Sequence, residues 1–355
     1  VRDTWYNLIA SRASGSLSMV YIGHCSPSWG TPPGWLVPRS LYGYMTDLVT
    51  YSSQLSPNDY NTIYAPYITP MIGTPLFTQL SSAATSSAVG AFSLRAVNGT
   101  VARAVQVRRS SDSATQDFYA DRLGNLLTAP VTGQTLADWL GGATGYVTTW
   151  YDQSGRGNHA SQATAANQPI IQRATKGPGY SCLFNGTTNY LTGMSYSVLK
   201  GTNYSISVVE RRNTSSSPLF FVTSGDSGTA NHLLHIGYNT NTLLRYGQYS
   251  NDIDETIAGY VSNEPLHYWS FTASSTSGRY IFDQTTSTTT SDATKKALLA
   301  STSGNFIIGS RQSGVVSYYS GEIFEVLVFT SSLVDLDGTT SVNQIYQNQL
   351  SYTGT

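Results

Sequence analysis

From residue 91 onward, apolar and polar positions come in short runs separated by turn residues about every ten positions. Residues 103–109 alternate, with Ala104 and Gln106 on one face of the pleat and Val105 and Val107 across it. Residues 146–151 (Tyr-Val-Thr-Thr-Trp-Tyr) predict a strong strand. The same signal predicts strands at 205–210, 219–223, 232–238, 243–249, 268–273, 279–283, 305–309 and 321–330. Many short strands at this rhythm predict an all-β sandwich of two antiparallel sheets. Two helical stretches interrupt it. At 135–140, Thr135 is placed to cap, Asp138 lies in the first turn and Gly141-Gly142 ends the helix. At 342–350, Val342, Ile345, Tyr346 and Leu350 predict a closing helical turn.

The first ninety residues follow a different pattern. Residues 26–35 combine Pro, Gly and two Trp in turn chemistry that interrupts any regular ladder. Leu41, Met45, Leu48 and Val49 predict a short helix within 40–55. Residues 58–75 are rich in Tyr and Pro and read as extended, and 81–89 read as a small-residue linker. The expectation is an irregular N-terminal arm or assembly segment over 1–90 and a sandwich over 91–355. An arm carrying Trp5, Trp29 and Trp35 is too apolar to be left in water, so it is expected to pack against something.

Composition narrows the function classes. The chain has 355 residues, room for one large β domain and a smaller element. Hydrophobic residues make up 40% and charged residues only 11%, so the polarity comes from hydroxyl and amide side chains. Net charge is −1, with no basic block beyond Arg108-Arg109 and Arg211-Arg212, which argues against a nucleic-acid partner. No apolar run approaches the roughly 18 residues of a membrane span. The chain starts at Val1 and not at Met, so an upstream segment is expected to be removed or left out. Cys25 and Cys182 are open to two readings, a disulfide or two buried thiols. Glycosylation sequons at Asn98, Asn185, Asn203 and Asn213, with the low charge, lean toward an extracellular or particle-surface setting.

Three segments carry a resemblance: Ala91-Phe-Ser-Leu-Arg95, Val105-Gln-Val-Arg-Arg-Ser-Ser-Asp112, and Thr148-Thr-Trp-Tyr-Asp-Gln-Ser-Gly-Arg-Gly-Asn-His159. They resemble the catalytic domain of the α-L-arabinofuranosidase B family, and the likeness runs from about residue 91 to the C-terminus. Segments 181–190 and 319–326 resemble laminin-G-like and concanavalin A-like sandwiches more generally. The resemblance implies a concanavalin A-like jelly roll. The loop Asp152, Ser154, Gly155, Gly157, Asn158, His159 has its own physical reading: Asp152 accepts turn amides and the glycines permit positive φ. That makes it a structural loop, with a calcium or sugar contact through Asp152 and Asn158 as the sharper alternative. No other cofactor or metal is implied.

The resembled enzymes retain anomeric configuration, which requires two carboxyls about 5–5.5 Å apart. The resemblance implies a nucleophilic Glu just after a His-Met pair, and that position reads Leu234 in the segment beginning Asn231-His232. The stretch implied to hold the acid/base, Ser310 to Ser313, has no carboxylate. The adjacent cysteines implied for the pocket floor read Phe220-Phe221. Asp226, Asp252, Asp254 and Glu255 read as loop charges, and Glu322 and Glu325 as opposite-facing strand residues. His232 and His235 likewise fall on opposite faces of a strand, against a shared metal.

The expectation is therefore a scaffold kept and a reaction lost, a non-catalytic carbohydrate-binding or structural sandwich. The sugar contacts expected near the old cleft are Phe221, His232, Tyr238, Arg245 and Tyr246. Expected partners are glycans, further copies of the chain or other assembly subunits, in an extracellular or virion-surface setting. The alternative is an active glycosidase on arabinose- or galactose-containing polymers.

Overall fold

The computed structural model describes residues 74–130, 132–177, 179–226, 228–311 and 317–353. These lie within one compact unit, Thr69–Thr355. The expected features of residues 1–73, including the helix at 40–55 and Cys25, lie outside the described residues.

Nineteen strands form the described fold. They are β1 (Ala88–Ser93), β2 (Val101–Arg109), β3 (Thr115–Asp121), β4 (Leu126–Leu127), β5 (Gly145–Trp150), β6 (Ala160–Ser161), β7 (Ile170–Arg173), β8 (Tyr180–Asn185), β9 (Leu191–Ser195) and β10 (Tyr204–Arg212). They continue as β11 (Leu219–Gly225), β12 (Leu233–Thr240), β13 (Leu243–Gln248), β14 (Ile253–Thr256), β15 (His267–Ser274), β16 (Gly278–Asp283), β17 (Thr288–Asp292), β18 (Asn305–Ile308) and β19 (Ser320–Phe329). The helices are α1 (Leu76–Gln79), α2 (Ser82–Ser87), α3 (Leu136–Leu140), α4 (Leu333–Asp337) and α5 (Thr340–Thr353).

One antiparallel sheet runs β17-β16-β15-β10-β19-β1. The other runs β14-β13-β12-β11-β18-β9. A ribbon β4-β3-β2-β5-β7-β8 continues from β19 through β8 and reaches β9 through β6. The predicted all-β sandwich is thus the observed fold. Between the sheets, Phe92, Trp150, Phe184, Tyr204, Phe221, Tyr246, Trp269 and Phe271 form one continuous core. The outer face of the first sheet carries a second cluster, in which Leu327 and Phe329 of β19 meet Val342 and Ile345 of α5 and Leu76 and Phe77 of α1.

Short polar elements escaped the sequence reading. β17 is built of Thr, Ser and Asp with every residue exposed or half-exposed, so it is held by its ladder to β16 and has no apolar alternation to betray it. The stretch read as a linker at 81–89 contains α2. Ser81 caps it by accepting from the Ala84 amide at 3.2 Å, and Ala84 and Ser87 are buried. Residues 74–90 therefore belong with the sandwich in packing, since Leu76, Phe77, Leu80, Ala84 and Ala88 all enter the second cluster. The short helix after Thr135 forms as expected: Thr135 accepts from Asp138 N, and Gly141 is left-handed.

One period-two inference fails at a bulge. The pairing of β10 with β19 slips between Val209 and Glu210, so Val209 faces Glu325 while Glu210 faces Ile323. Phe324 is the extra residue. Ile323 and Val326 enter the inter-sheet core, whereas Glu322, Phe324 and Glu325 all lie on the outer face. Glu325 there receives Arg95 Nε at 3.0 Å and Gln349 of α5 at 3.1 Å. Glu322 receives Arg211 at 2.6 Å and Ser181 at 2.7 Å. The two carboxylates share a face after all, but each is engaged by its own arginine.

A buried polar network ties the sheets together. Glu210 of β10 is fully buried and accepts from Tyr238 Oη of β12 at 2.5 Å, Trp269 Nε1 of β15 at 2.9 Å, and Tyr319 Oη. Burial and then the Glu210 charge hold both tyrosines far above their ordinary value. Arg212 lies 4.3 Å from the Tyr238 ring and pairs with Glu264 at 2.9 Å. His267 meets the same Glu264 oxygen at 3.1 Å and stacks on Trp269. Burial pushes the Glu264 carboxyl up, but His267, the Val261 amide and Arg212 outweigh it and hold the group at about 2 against an ordinary 4.5.

That depression fixes the sign of a pH effect. The folded state holds Glu264 ionised where the unfolded chain would protonate it, so its stabilisation is present above pH 4.5 and lost as pH falls toward 2. Thermal melts from pH 7 to pH 2 should show a steep loss across that window. Glu264→Gln should melt lower at pH 7 and show a flatter acid limb. An unchanged acid limb would remove Glu264 from the account.

Candidate functional site

The outer face of the second sheet is set by strand alternation. On β11 and β12, Phe221, Leu234, Ile236 and Tyr238 point into the inter-sheet core, with Tyr246 of β13. Phe220, His235 and Arg245 therefore take the other face. Register brings them together: Phe220 stands opposite Gly237, Gly237 opposite Arg245, and Arg245 opposite Asp254. In the neighbouring row Thr223, His235 and Gly247 stand side by side.

The His235 ring meets the Phe220 ring edge-on, with centroids 5.3 Å apart. It also covers Gly247 so closely that an added Cβ would fall 2.2 Å from Nε2. His235 Nδ1 bonds the Leu233 carbonyl at 3.2 Å, and Nε2 lies 3.7 Å from Asp252 Oδ1. Burial pushes the His235 imidazole below its ordinary value, and the Asp252 charge only partly offsets this, so the ring is neutral at pH 7. Arg245 reaches Asp254 through two bonds of 2.8 Å and Asp252 at 3.3 Å. Arg311 lies 5.9 Å from the Phe220 centroid. An isolated parallel bridge between Phe220 and Tyr318 sets the segment after β18 beside β11. Two charged-group atoms on this face, Asp252 Oδ1 and Arg311 Nε, have no hydrogen-bond partner among the described residues.

The expected sugar contacts divide accordingly. Phe221, Tyr238 and Tyr246 are wholly buried in the core and present no surface to a ligand, with Phe221 turned inward at a bulge between Phe220 and Val222; on the other face Phe220 and His235 are only 1% and 4% exposed, so the partly exposed groups there are Arg245, Asp252 and Asp254. Arg245 is on the open face. His232 precedes β12 and turns toward Asp226, its Nδ1 at 3.3 Å, away from His235. Sequence reasoning missed Phe220, His235, Asp252 and Asp254 as a group. The signal was present, since each lies one position from a core residue, but the face of each strand could not be assigned.

The carry-over of a lost nucleophile to Leu234 also changes. Leu234 is fully buried between the sheets, so that position does not face the open side. The carboxylates that do are Asp252 and Asp254, which the sequence reading had left as loop charges. Ser310 is buried, while Gln312 and Ser313 lie outside the described residues.

The structural loop is consistent throughout. Asp152 Oδ1 accepts from the Ala91 and Ser154 amides at 2.8 Å, and Oδ2 accepts from Ser154 Oγ at 2.8 Å and the Asn158 amide at 3.0 Å. Asn158 donates to the Val89 carbonyl, His159 Nδ1 accepts from the Asp152 amide, and Gly155 and Gly157 have φ of 85° and 74°. The loop thus pins β1 to the ribbon. No group of three or more His, Cys, Asp or Glu side chains is arranged to hold a metal among the described residues. Cys182 is a buried free thiol, and burial pushes it well above its ordinary value.

The fold defined here is a two-sheet antiparallel β-sandwich. Solved structures of the same fold include a GH54 α-L-arabinofuranosidase soaked with a cyclic sulfate inhibitor, with 15% identity and a TM-score of 0.52. They also include an arabinofuranosidase complexed with arabinofuranosyl-α-1,2-xylobiose, with 14% identity and a TM-score of 0.52. In both, the match covers 75% of this chain and 63% of the other, so this chain spans less than two thirds of their length. No family model and no curated protein sequence matches the chain.

Separate roles for the two faces predict separate phenotypes. Phe221→Ala, in the core, should cost about 3–5 kcal/mol of unfolding free energy. Arg245→Ala, whose partners are partly exposed, should cost about 1 kcal/mol or less. Denaturant unfolding of both variants measures the difference, and equal costs would contradict the assigned faces. Gly247→Ala should displace His235, visible as a changed imidazole titration by NMR.

Proposed function

We propose that this protein is a carbohydrate-binding β-sandwich that uses the outer face of β11–β14. The observation that carries the reading is the partly exposed Arg245–Asp252–Asp254 cluster set over the buried Phe220 and His235 rings, where Asp252 Oδ1 and Arg311 Nε have no hydrogen-bond partner among the described residues. Orienting sugar hydroxyls takes a few convergent polar groups beside an apolar surface. The sugar complexes of the structurally similar arabinofuranosidases support carbohydrate as the ligand class. A role at an extracellular or particle surface, including that of a virion, is the reading that the low charge and the aromatic, Pro-rich N-terminal segment favour.

A catalytic reading has one observation in its favour. Asp252 and Asp254 both reach Arg245, so two carboxyls lie on one side of the sheet, and retaining glycosidases use a pair of carboxyls. Against it, both carboxylates are spent on the Arg245 guanidinium.

Two experiments separate these readings. On a plant and bacterial polysaccharide array, the wild type should give a defined signal that falls at least tenfold in Asp252→Ala and His235→Ala. With an aryl α-L-arabinofuranoside, turnover should stay at the level of the buffer. Turnover abolished by Asp254→Asn would replace the binding reading with the enzymatic one. For the assembly role, ultracentrifugation of the full chain should show a defined oligomer that a chain lacking residues 1–68 does not form. A truncated chain that assembles normally would overturn it.

A further inference from the structure

A recess lies on the ribbon that joins the sheets. Val107 of β2, Val147 of β5 and Ile171 of β7 point into the core, so their neighbours Arg108, Tyr146 and Ile170 point outward. Register aligns these three in one row, Arg108 opposite Tyr146 and Tyr146 opposite Ile170. They form part of an open groove of about 550 Å³ rimmed by Gln168, Asn185 and Asn189. That volume is within the range of about 300–1,000 Å³ usual for small-molecule sites.

The groove is held in shape from below. Gln168 is 4% exposed and accepts from Arg108 Nε at 2.8 Å, while its own amide donates to the Gln162 carbonyl at 2.9 Å. Asn189, 5% exposed, donates to the Gln168 carbonyl at 3.1 Å and accepts from the Asn185 amide. The Arg108 guanidinium also rests 4.7 Å from the Tyr146 centroid. Its orientation is fixed by a neutral amide and a ring, and no acidic side chain lines the groove.

Arg108 differs from the arginines engaged by acids. Arg95, Arg103, Arg109, Arg211, Arg212 and Arg245 each pair with a carboxylate. Arg108 has its Nε engaged, and its two Nη groups have no hydrogen bond to the described residues. A planar pair of N–H donors held in place matches a carboxylate bidentately. Tyr146 and Ile170 supply an apolar floor beside it, suited to the C–H face of a sugar ring.

We propose that this groove is a binding site for an acidic saccharide, its carboxylate on the Arg108 Nη groups and its ring over Tyr146 and Ile170. The saccharide part rests on the carbohydrate reading above; the carboxylate part rests on the groove alone. The site is separate in chemistry from the β11–β14 face, which already carries its own acids.

Calorimetry with full-length protein from a non-glycosylating host, which leaves the Asn185 sequon on the rim unmodified, tests it. Tetragalacturonate is the probe and neutral galactotetraose the control. Tetragalacturonate should bind at least tenfold more tightly than the neutral tetramer, and its affinity should fall between 50 and 500 mM NaCl. Arg108→Gln should weaken it at least tenfold. Arg108→Lys, which keeps the charge but not the fork, should weaken it about fivefold. Lys296→Gln, an exposed cation on neither surface, should leave it unchanged, and circular dichroism melts confirm that each variant is folded. Equal binding of the two tetramers, wild-type affinity in either Arg108 variant, no heat with the acidic probe, or full displacement by a hexaglutamate peptide would each overturn the assignment. Array binding that is lost in His235→Ala alongside a blank titration here would leave the first site standing and remove this one.

Discussion

The sandwich depends on one buried carboxylate. Glu210 takes donors from both sheets, Trp269 on the strand beside it and Tyr238 across the core, with Tyr319 from the turn before β19. A charge at full burial is tolerated only when its acceptor sites are filled, and each donor to a charged group is worth about 1.5–3 kcal/mol. The three aromatic donors are large, so satisfying Glu210 also fixes three rings of the core. Arg212, stacked on Tyr238 and paired with Glu264, extends that constraint to the loop before β15. A second buried bridge, Gln248 of β13 to Tyr204 of β10 and Arg279 of β16, joins the same two sheets, so polar contacts hold them in register at two places within the core.

With the register fixed, the second sheet has no freedom in what it shows. Phe221, Leu234, Tyr238 and Tyr246 fill the core, and Phe220, His235, Arg245 and Asp254 face outward. The outer face gains its character from what the inner face needs. Gly247 is small where His235 must lie down, and Asp252 and Asp254 converge on Arg245 because β13 and β14 pair. On the ribbon the same alternation produces a different surface. There Val107, Val147 and Ile171 go inward and leave an arginine, a tyrosine and an isoleucine in a row, without acids. One scaffold thus presents two surfaces of different electrostatic character.

The fold class was legible because it rests on local signals. Alternation in 146–151 and 219–223, turn residues between runs, and the cap at Thr135 are properties of a few neighbouring residues. Part of the loop from Asp152 to His159 was legible for the same reason, since its glycines and the bonds of Asp152 to Ser154 and Asn158 are local, while its ties to Ala91 and Val89 are not. What was misread shares one cause. Phe220 or Phe221, Leu234 or His235, and the facing of Glu322 and Glu325 each turn on a shift of one residue, and a β-bulge makes that shift without any mark in composition.

The sequence by itself determined that the chain folds as antiparallel strands, where most of them lie, and that Asp152 accepts the amides of its own turn. Only the tertiary structure decided which face of each strand is outside, that Glu210 has its three donors, that Asp252 and Asp254 converge on one arginine, and that Arg108 has no acid beside it. These pairings join residues far apart in the chain, such as Glu210 and Tyr319 or Arg108 and Gln168. Strand alternation constrains each strand alone, while the relation between strands is fixed by buried contacts that exist only once the sheets have closed.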